Sequence, residues 1–222
     1  MNRTTPQRSS IQSARRNLFR ILGGCGLASA AWLLCAPPLE AACVNITAQE
    51  TQDWASMLIT KAMGDDDACR AAAPDRDDFA SNNACNVFVG RVMARIYGLS
   101  TFVGTDGSFL KANDIAAQLP IMPGWVELGT ANDQSTLDAA RDAADNKSLV
   151  LAVWPNPDTT KPGHVALVGP GPMTASTKWG LNVPVAASFS LDAADAAFIG
   201  QPLSCAFGAD KKATTQLWKY SG

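Results

Sequence analysis

Cys85 and His164 are residue types from which a covalent catalyst is built. A cysteine attacks a carbonyl as the thiolate, so it needs a group that takes its proton near neutral pH. Imidazole is the side chain whose ordinary pKa fits. The chain of 222 residues contains one histidine. It stands in Pro162-Gly163-His164-Val165-Ala166-Leu167-Val168, at the head of an apolar run. Cys85 stands in Ser81-Asn82-Asn83-Ala84-Cys85-Asn86-Val87-Phe88-Val89, where a polar elbow gives way to helical spacing. At a helix start the dipole and the unpaired N–H groups favour a thiolate. Taken singly, each residue has a plainer reading: a histidine opening a strand is usually structural, and a thiol on an apolar stripe is usually core. Taken together they are one nucleophile and one base, with no spare base in the chain.

The elements that must position them can be read from periodicity. After Cys85, Val89, Val92 and Ile96 follow at spacings of four, three and four, which is one stripe of a helix. Asn82 or Asn83 is a natural N-cap and Gly98 a natural stop. Upstream, residues 46–64 read as a helix with Thr47 and Glu50 at capping-box spacing. Residues 65–81 read as a polar loop. Its Asp65-Asp66-Asp67 is a solvated turn rather than a metal site, because no glycine-spaced calcium loop follows. Downstream come a short helix closed by Pro120, a strand at 124–128, and a helix over 135–146 with Ser135 and Asp138 at box-like spacing. Strands follow at 148–154, at 164–168, at 181–191 and at 214–221. Helices first and antiparallel strands after predict an α+β fold, with N-terminal helices packed on an antiparallel sheet.

Composition bounds the rest. With 47% hydrophobic and 17% charged residues, the chain fits one domain of ordinary make-up, long enough to bury a core without staples. Residues 1–42 have another layout: paired Arg15 and Arg16, an apolar stretch from Ile21 to Leu34, then small residues up to Ala41 and Ala42. That is the plan of a cleaved export signal, and Ala14 to Arg20 resembles the twin-arginine pattern. The apolar stretch is short and holds Gly and Ser, so it is weak as a membrane span. Leu22-Gly23-Gly24-Cys25 has the look of a lipobox, but Arg20 leaves no apolar run before it. The expected organisation is 1–42 as export segment and 43–222 as a single catalytic domain, periplasmic or extracellular, with no stable membrane anchor.

The first 42 residues carry five arginines and one glutamate, leaving 13 basic and 19 acidic residues and a formal charge of −6. Such a chain, with no basic run, excludes a nucleic-acid binder and a polybasic membrane patch. Cys43, Cys69, Cys85 and Cys205 remain. With Cys85 kept as a thiol, at most one disulfide forms among the other three, and Cys43 with Cys69, which flank the first helix, is the expected pair. No C-x-x-C occurs, and with one histidine no zinc site is expected; no cofactor is expected either. No G-x-S-x-G occurs, and the prolines of Val168-Gly169-Pro170-Gly171-Pro172 remove donors that a phosphate cradle needs.

Cys85-Asn86-Val87-Phe88-Val89 at a helix start, followed by "SLVLAVW" and "PGHVALVGPG", resembles the NlpC/P60 and CHAP superfamily of bacterial cell-wall hydrolases. These are papain-like amidases and endopeptidases that cut peptidoglycan peptides. The resemblance runs from about Ser81 to the C-terminus. It implies a papain-like NlpC/P60-type fold, Cys85 as nucleophile, His164 as general base and a peptidoglycan peptide as substrate, with a protein inhibitor as a further conceivable partner. In that superfamily a polar residue on the strand after the histidine strand orients the imidazole. Opposed residues of an antiparallel hairpin have a constant index sum. A turn centred near Ser176 sets His164 opposite Ser188; one centred near Thr174 sets it nearer Pro184. Ser188 is the expected third residue, with Ser190 and Asn182 as runners-up and a dyad as the remaining option.

The oxyanion donors nearest to hand are the Cys85 N–H and the side chains of Asn82, Asn83 and Asn86, whose plainer role is capping. Trp179, in a loop flanked by glycine and serine, is the candidate to line a glycan or peptide groove, while Trp154 on its apolar strand reads as core. Two other functions fit the same fold: a non-catalytic periplasmic binding protein, and a thiol acyltransferase that uses the same dyad.

Overall fold

The structure, a computed structural model, describes Asp78, residues 84–189 and residues 198–222. The export segment, the helix expected at 46–64, the loop at 65–81 apart from Asp78, Cys43, Cys69, Asn82, Asn83 and Ser190 lie outside the described residues.

The fold is α+β. Helix α1 spans Ala84–Ile96, α2 spans Ala112–Gln118 and α3 spans Gln134–Asp145. The strands are β1 (Trp125–Thr130), β2 (Val150–Trp154), β3 (His164–Val168), β4 (Thr174–Ser176), β5 (Leu181–Val183), β6 (Val185–Ser188), β7 (Phe198–Pro202) and β8 (Gln216–Tyr220). Six of them form one antiparallel sheet in the order β1-β8-β2-β3-β6-β7, and β4 with β5 forms a separate hairpin.

The apolar runs of β2 and β3 reflect burial on both faces. Leu151, Val153, Val165 and Leu167 pack with Cys85, Phe88, Val89 and Val92 of α1 and Ile115 of α2. The alternating residues Ala152, Ala166 and Val168 pack with Leu137 and Ala140 of α3 and with Leu203 and Phe207. Period-two alternation therefore assigns each residue of β3 to one of two cores. The expected helix stripe is the buried one: Cys85, Val89 and Val92 all lie in the α1 core.

Several expectations need correction. Helix α3 falls between β1 and β2, as the order of segments at 124–128, 135–146 and 148–154 predicts, so the summary of helices first holds only for α1 and α2. Its N-cap is Asp133, not Ser135: the Asp133 carboxylate accepts from the Ser135 N–H at 2.9 Å and from its hydroxyl at 3.0 Å. An acceptor at this position meets the unpaired N–H groups of the first turn directly. Pro120 does not simply end α2; it lies within a 3-10 turn, Leu119–Ile121. The single strand expected at 181–191 is divided at Pro184, which has no N–H to give a ladder. Its first part pairs with β4 and its second with β3.

The β2–β3 loop aims His164. The Asn113 side chain on α2 donates to the Lys161 carbonyl at 3.0 Å and accepts from the Asn156 N–H at 2.9 Å. Asn156 in turn donates to the Pro162 carbonyl at 3.0 Å. Gly163 completes the brace, because a Cβ there would meet the Asn113 amide oxygen and would stand 2.6 Å from the Trp154 carbonyl oxygen. A main-chain oxygen cannot swing aside as a side chain does. Gly163→Ala is accordingly expected to lower unfolding stability by about 1–3 kcal/mol through overpacking. A denaturant melt within a few tenths of wild type would show that the approach is not a constraint.

Candidate active site

Cys85 is the second residue of α1, where the first turn has N–H groups without helical partners. The main-chain N–H groups of Val165, Asn86 and Cys85 itself face the sulfur. The thiol makes one long contact, to the Asn86 side-chain oxygen at 4.0 Å. Cys85 is only 1% exposed. Burial outweighs the amides and pushes the thiol up to about 11, so it rests protonated at neutral pH. Among the described residues Cys85 is the free cysteine. Cys205 is disulfide-bonded, to a partner outside the described residues. The expected pairing of Cys43 with Cys69 lies outside the described residues.

His164 opens β3 and is buried. Its Nε2 lies 2.7 Å from the Ser188 hydroxyl, and its ring meets the Phe207 ring edge-on at 5.2 Å and 72°. Burial first, and the Lys211 charge second, hold the imidazole down to about 4. Neutral imidazole is the form that can take a proton. If Nε2–H donates to Ser188, Nδ1 is the basic nitrogen.

Ser188 does not oppose His164 across the ladder. Leu167 pairs with Ala187 and Val168 with Ala186, so the register carried onward sets Ser188 opposite Ala166. The offset from the expected register is two residues, which keeps the side chain on the same face. Ser188 therefore reaches the ring along the diagonal, a span that cross-strand neighbours cover.

The sulfur and the imidazole meet through the backbone. The amide facing the sulfur belongs to Val165, the residue bonded to His164. Alternation then parts the side chains: Val165 joins Cys85 in the α1 core, while the imidazole lies with Ser188 and Phe207. No hydrogen bond joins thiol to imidazole; the thiol turns to Asn86 and the imidazole to Ser188. Catalytic contacts are commonly long before substrate binds and tighten in the complex. What the arrangement offers chemically is a neutral thiol, a neutral base next in the chain to an amide that faces the sulfur, and N–H groups near the sulfur that can receive negative charge.

Two further candidates behave differently from expectation. The Asn86 side-chain amide donates to the Leu110 carbonyl at 3.0 Å, so it fastens the loop before α2; of its N–H groups, the main-chain one faces the sulfur, while its side-chain oxygen takes the long thiol contact. Trp179 does not line a groove: it is 3% exposed and packs with Val183 and Leu203. The half-buried tryptophan is Trp154, directly opposite His164 in the β2–β3 ladder, with its Nε1–H donating to Thr214 at 3.1 Å. The spacing of residues gave no sign of Phe207 or Lys211 at the imidazole, because both come from the turns after β7. Among the described residues, no three His, Cys, Asp or Glu side chains gather as a metal site. No family model matches the chain, and neither does any curated protein or solved structure.

Both perturbed groups give stability a pH signature. The folded His164 titrates near 4 rather than 6.5, so its contribution is present above 6.5 and is lost as pH falls toward 4. The folded Cys85 titrates near 11 rather than 9.0, so its contribution is present below 9.0 and is lost as pH rises toward 11. One histidine means one imidazole Cε1–H resonance. It is expected to stay at the neutral shift from about pH 8 down to about pH 5; a midpoint at the ordinary histidine value would contradict the buried, uncharged ring. Ser188→Ala leaves Nε2 without its partner and is expected to cost about 1–3 kcal/mol in a chemical melt. A neutral outcome would mean that Nε2 finds another partner.

Proposed function

We propose that the protein is an exported cysteine hydrolase that cuts amide bonds of peptidoglycan peptides through Cys85 and His164, on a papain-like NlpC/P60-type fold. One observation carries the reading. The free thiol at the start of α1 lies against the amide of Val165, the neighbour of an imidazole fixed by Ser188. Both groups rest uncharged, and their side chains lie to opposite sides of β3. The reading therefore requires substrate binding to bring imidazole and sulfur together, after which the proton moves from Cys85 to His164 as general base. The oxyanion is met by the Cys85 N–H with a further donor, for which Asn83 stands near in sequence. His164 then protonates the leaving amine, and water hydrolyses the thioester. The peptidoglycan substrate and the export rest on the resemblance and on the layout of residues 1–42.

A second reading is favoured by the depth of the thiol. A cysteine 1% exposed with its pKa near 11 also suits a non-catalytic periplasmic binding protein that keeps the fold. A thiol acyltransferase would share the first steps and differ in the acceptor. The test is incubation of the protein and of its Cys85→Ala form with peptidoglycan fragments, followed by mass analysis. The hydrolase is expected to add water across a peptide bond, and Cys85→Ala to lower the rate by at least about 10³-fold. Intact fragments with both proteins would favour binding, products carrying an added amine would favour transfer, and equal rates would remove Cys85 from the chemistry.

A further inference from the structure

Base and nucleophile part company at the first residue of β3. Val165 belongs to the core that holds Cys85, while the His164 ring lies with Ser188 and Phe207 on the other face. His164 has the ladder on one side of it in the chain and the β2–β3 loop on the other. The Val165 N–H that faces the sulfur is one peptide bond away. A turn of the backbone at residues 163 and 164 would carry the ring to the sulfur's face and leave the ladder from Val165 onward in place.

The loop that ends there is knit to itself. The Asp158 carboxylate accepts from the Thr160 N–H at 3.1 Å, and the Asp158 carbonyl accepts from the Lys161 N–H at 2.9 Å. The Asn156 side chain closes the neck on the Pro162 carbonyl at 3.0 Å. Residues 157–162 are exposed. Among the described residues, and apart from the strand ladder, the hydrogen bonds that tie this loop to the body end on one side chain. Asn113 of α2 donates to the Lys161 carbonyl and accepts from the Asn156 N–H. Its neighbours Ala112, Ile115 and Ala116 pack in the core of Cys85. Gly163, which lets the Asn113 amide come close, is the joint beside the ring. Where the ring now lies, its charged form is disfavoured by burial and by Lys211, the charged group among the described residues that acts on it. Moving to the sulfur takes the ring from a cation toward a forming thiolate.

We propose that Asn113 is a positioning residue, a latch on the β2–β3 loop that holds the imidazole away from the sulfur, and that its release delivers His164 to Cys85. The inference rests on the hydrolase reading above and names the step that assembles its dyad. On release the S–H proton passes to the ring, leaving a thiolate beside an imidazolium. A peptide substrate carries the same carbonyl and N–H groups that Asn113 holds, so it can take their place and free the loop.

The test needs no substrate. Alkylation of Cys85 by iodoacetamide at about pH 6.5 is followed by peptide mass, because the thiolate is the species that reacts. Asn113→Ala is expected to speed it at least about tenfold, the change in thiolate that one pKa unit makes. Asn113→Asp, which keeps the acceptor and loses the donor, is expected to give a smaller rise. Adding His164→Gln should abolish both rises, whereas a core that had merely opened would expose the sulfur whatever stands at residue 164. Where the Asn113 variants fail to fold, the unsubstituted protein and His164→Gln are compared in urea below the unfolding transition, where exposed loop contacts open first. The acceleration is expected there in the unsubstituted protein alone. No acceleration, or one that survives His164→Gln, would overturn the proposal. Cleavage of peptidoglycan fragments is scored apart: a His164-dependent acceleration without cleavage keeps the latch and removes the hydrolase, while cleavage without acceleration does the reverse.

Discussion

The 2.7 Å hydrogen bond between His164 and Ser188 is the contact on which the site depends. An imidazole taken out of water loses the stabilisation of its charged form and must find partners for its nitrogens inside. Here one nitrogen is met by a hydroxyl, one ring edge by Phe207, and the neutral form is favoured by burial and by the nearby Lys211 charge. The rest of the fold can be seen as what brings these groups to one strand end. Three side-chain amide contacts hold the β2–β3 loop, α2 supplies Asn113 for two of them, and the central position of β3 covers both its faces.

The same strand explains how the thiol and the base relate. A β-strand sends alternate side chains to opposite faces, and β3 sends Val165 toward α1 and Ala166 toward α3. The sulfur approaches the strand from the α1 side and meets a main-chain amide there. The imidazole stands at the strand's first residue, where the ladder begins and the chain leaves the loop. The peptide bond ties His164 to Val165, and the sulfur meets the Val165 amide by packing alone, from the side of β3 away from the imidazole.

How much of this was legible in the sequence follows from range. The α1 stripe and the strands β2, β3 and β8 were readable because burial by several elements imposes a local pattern of apolar residues. The division at Pro184 follows from a missing N–H and was readable in principle, but the apolar run across it outweighed the proline. Ser188 was identified by hairpin arithmetic with a register two residues off, and an even error leaves the face unchanged. Trp154 and Trp179 differ in burial from expectation for another reason. The tryptophan on the apolar strand is held at the rim by Thr214 and Lys211, while the one in a loop of small residues is drawn into the α3 core. Those contacts cross many residues of chain, and no local spacing encodes them. Phe207 belongs to the same class, since it reaches His164 from the 3-10 segments near the C-terminus.

The export proposed above would put a free thiol where cysteines are oxidised. Cys205 is disulfide-bonded, in the turn that leads to Phe207. Cys85 stays free, and the physical reason is on the structure: oxidation and disulfide exchange proceed through an exposed thiolate, and this sulfur is both covered and protonated. The same burial that protects the thiol also withholds the thiolate, so resistance to oxidation and low nucleophilicity at rest have one cause.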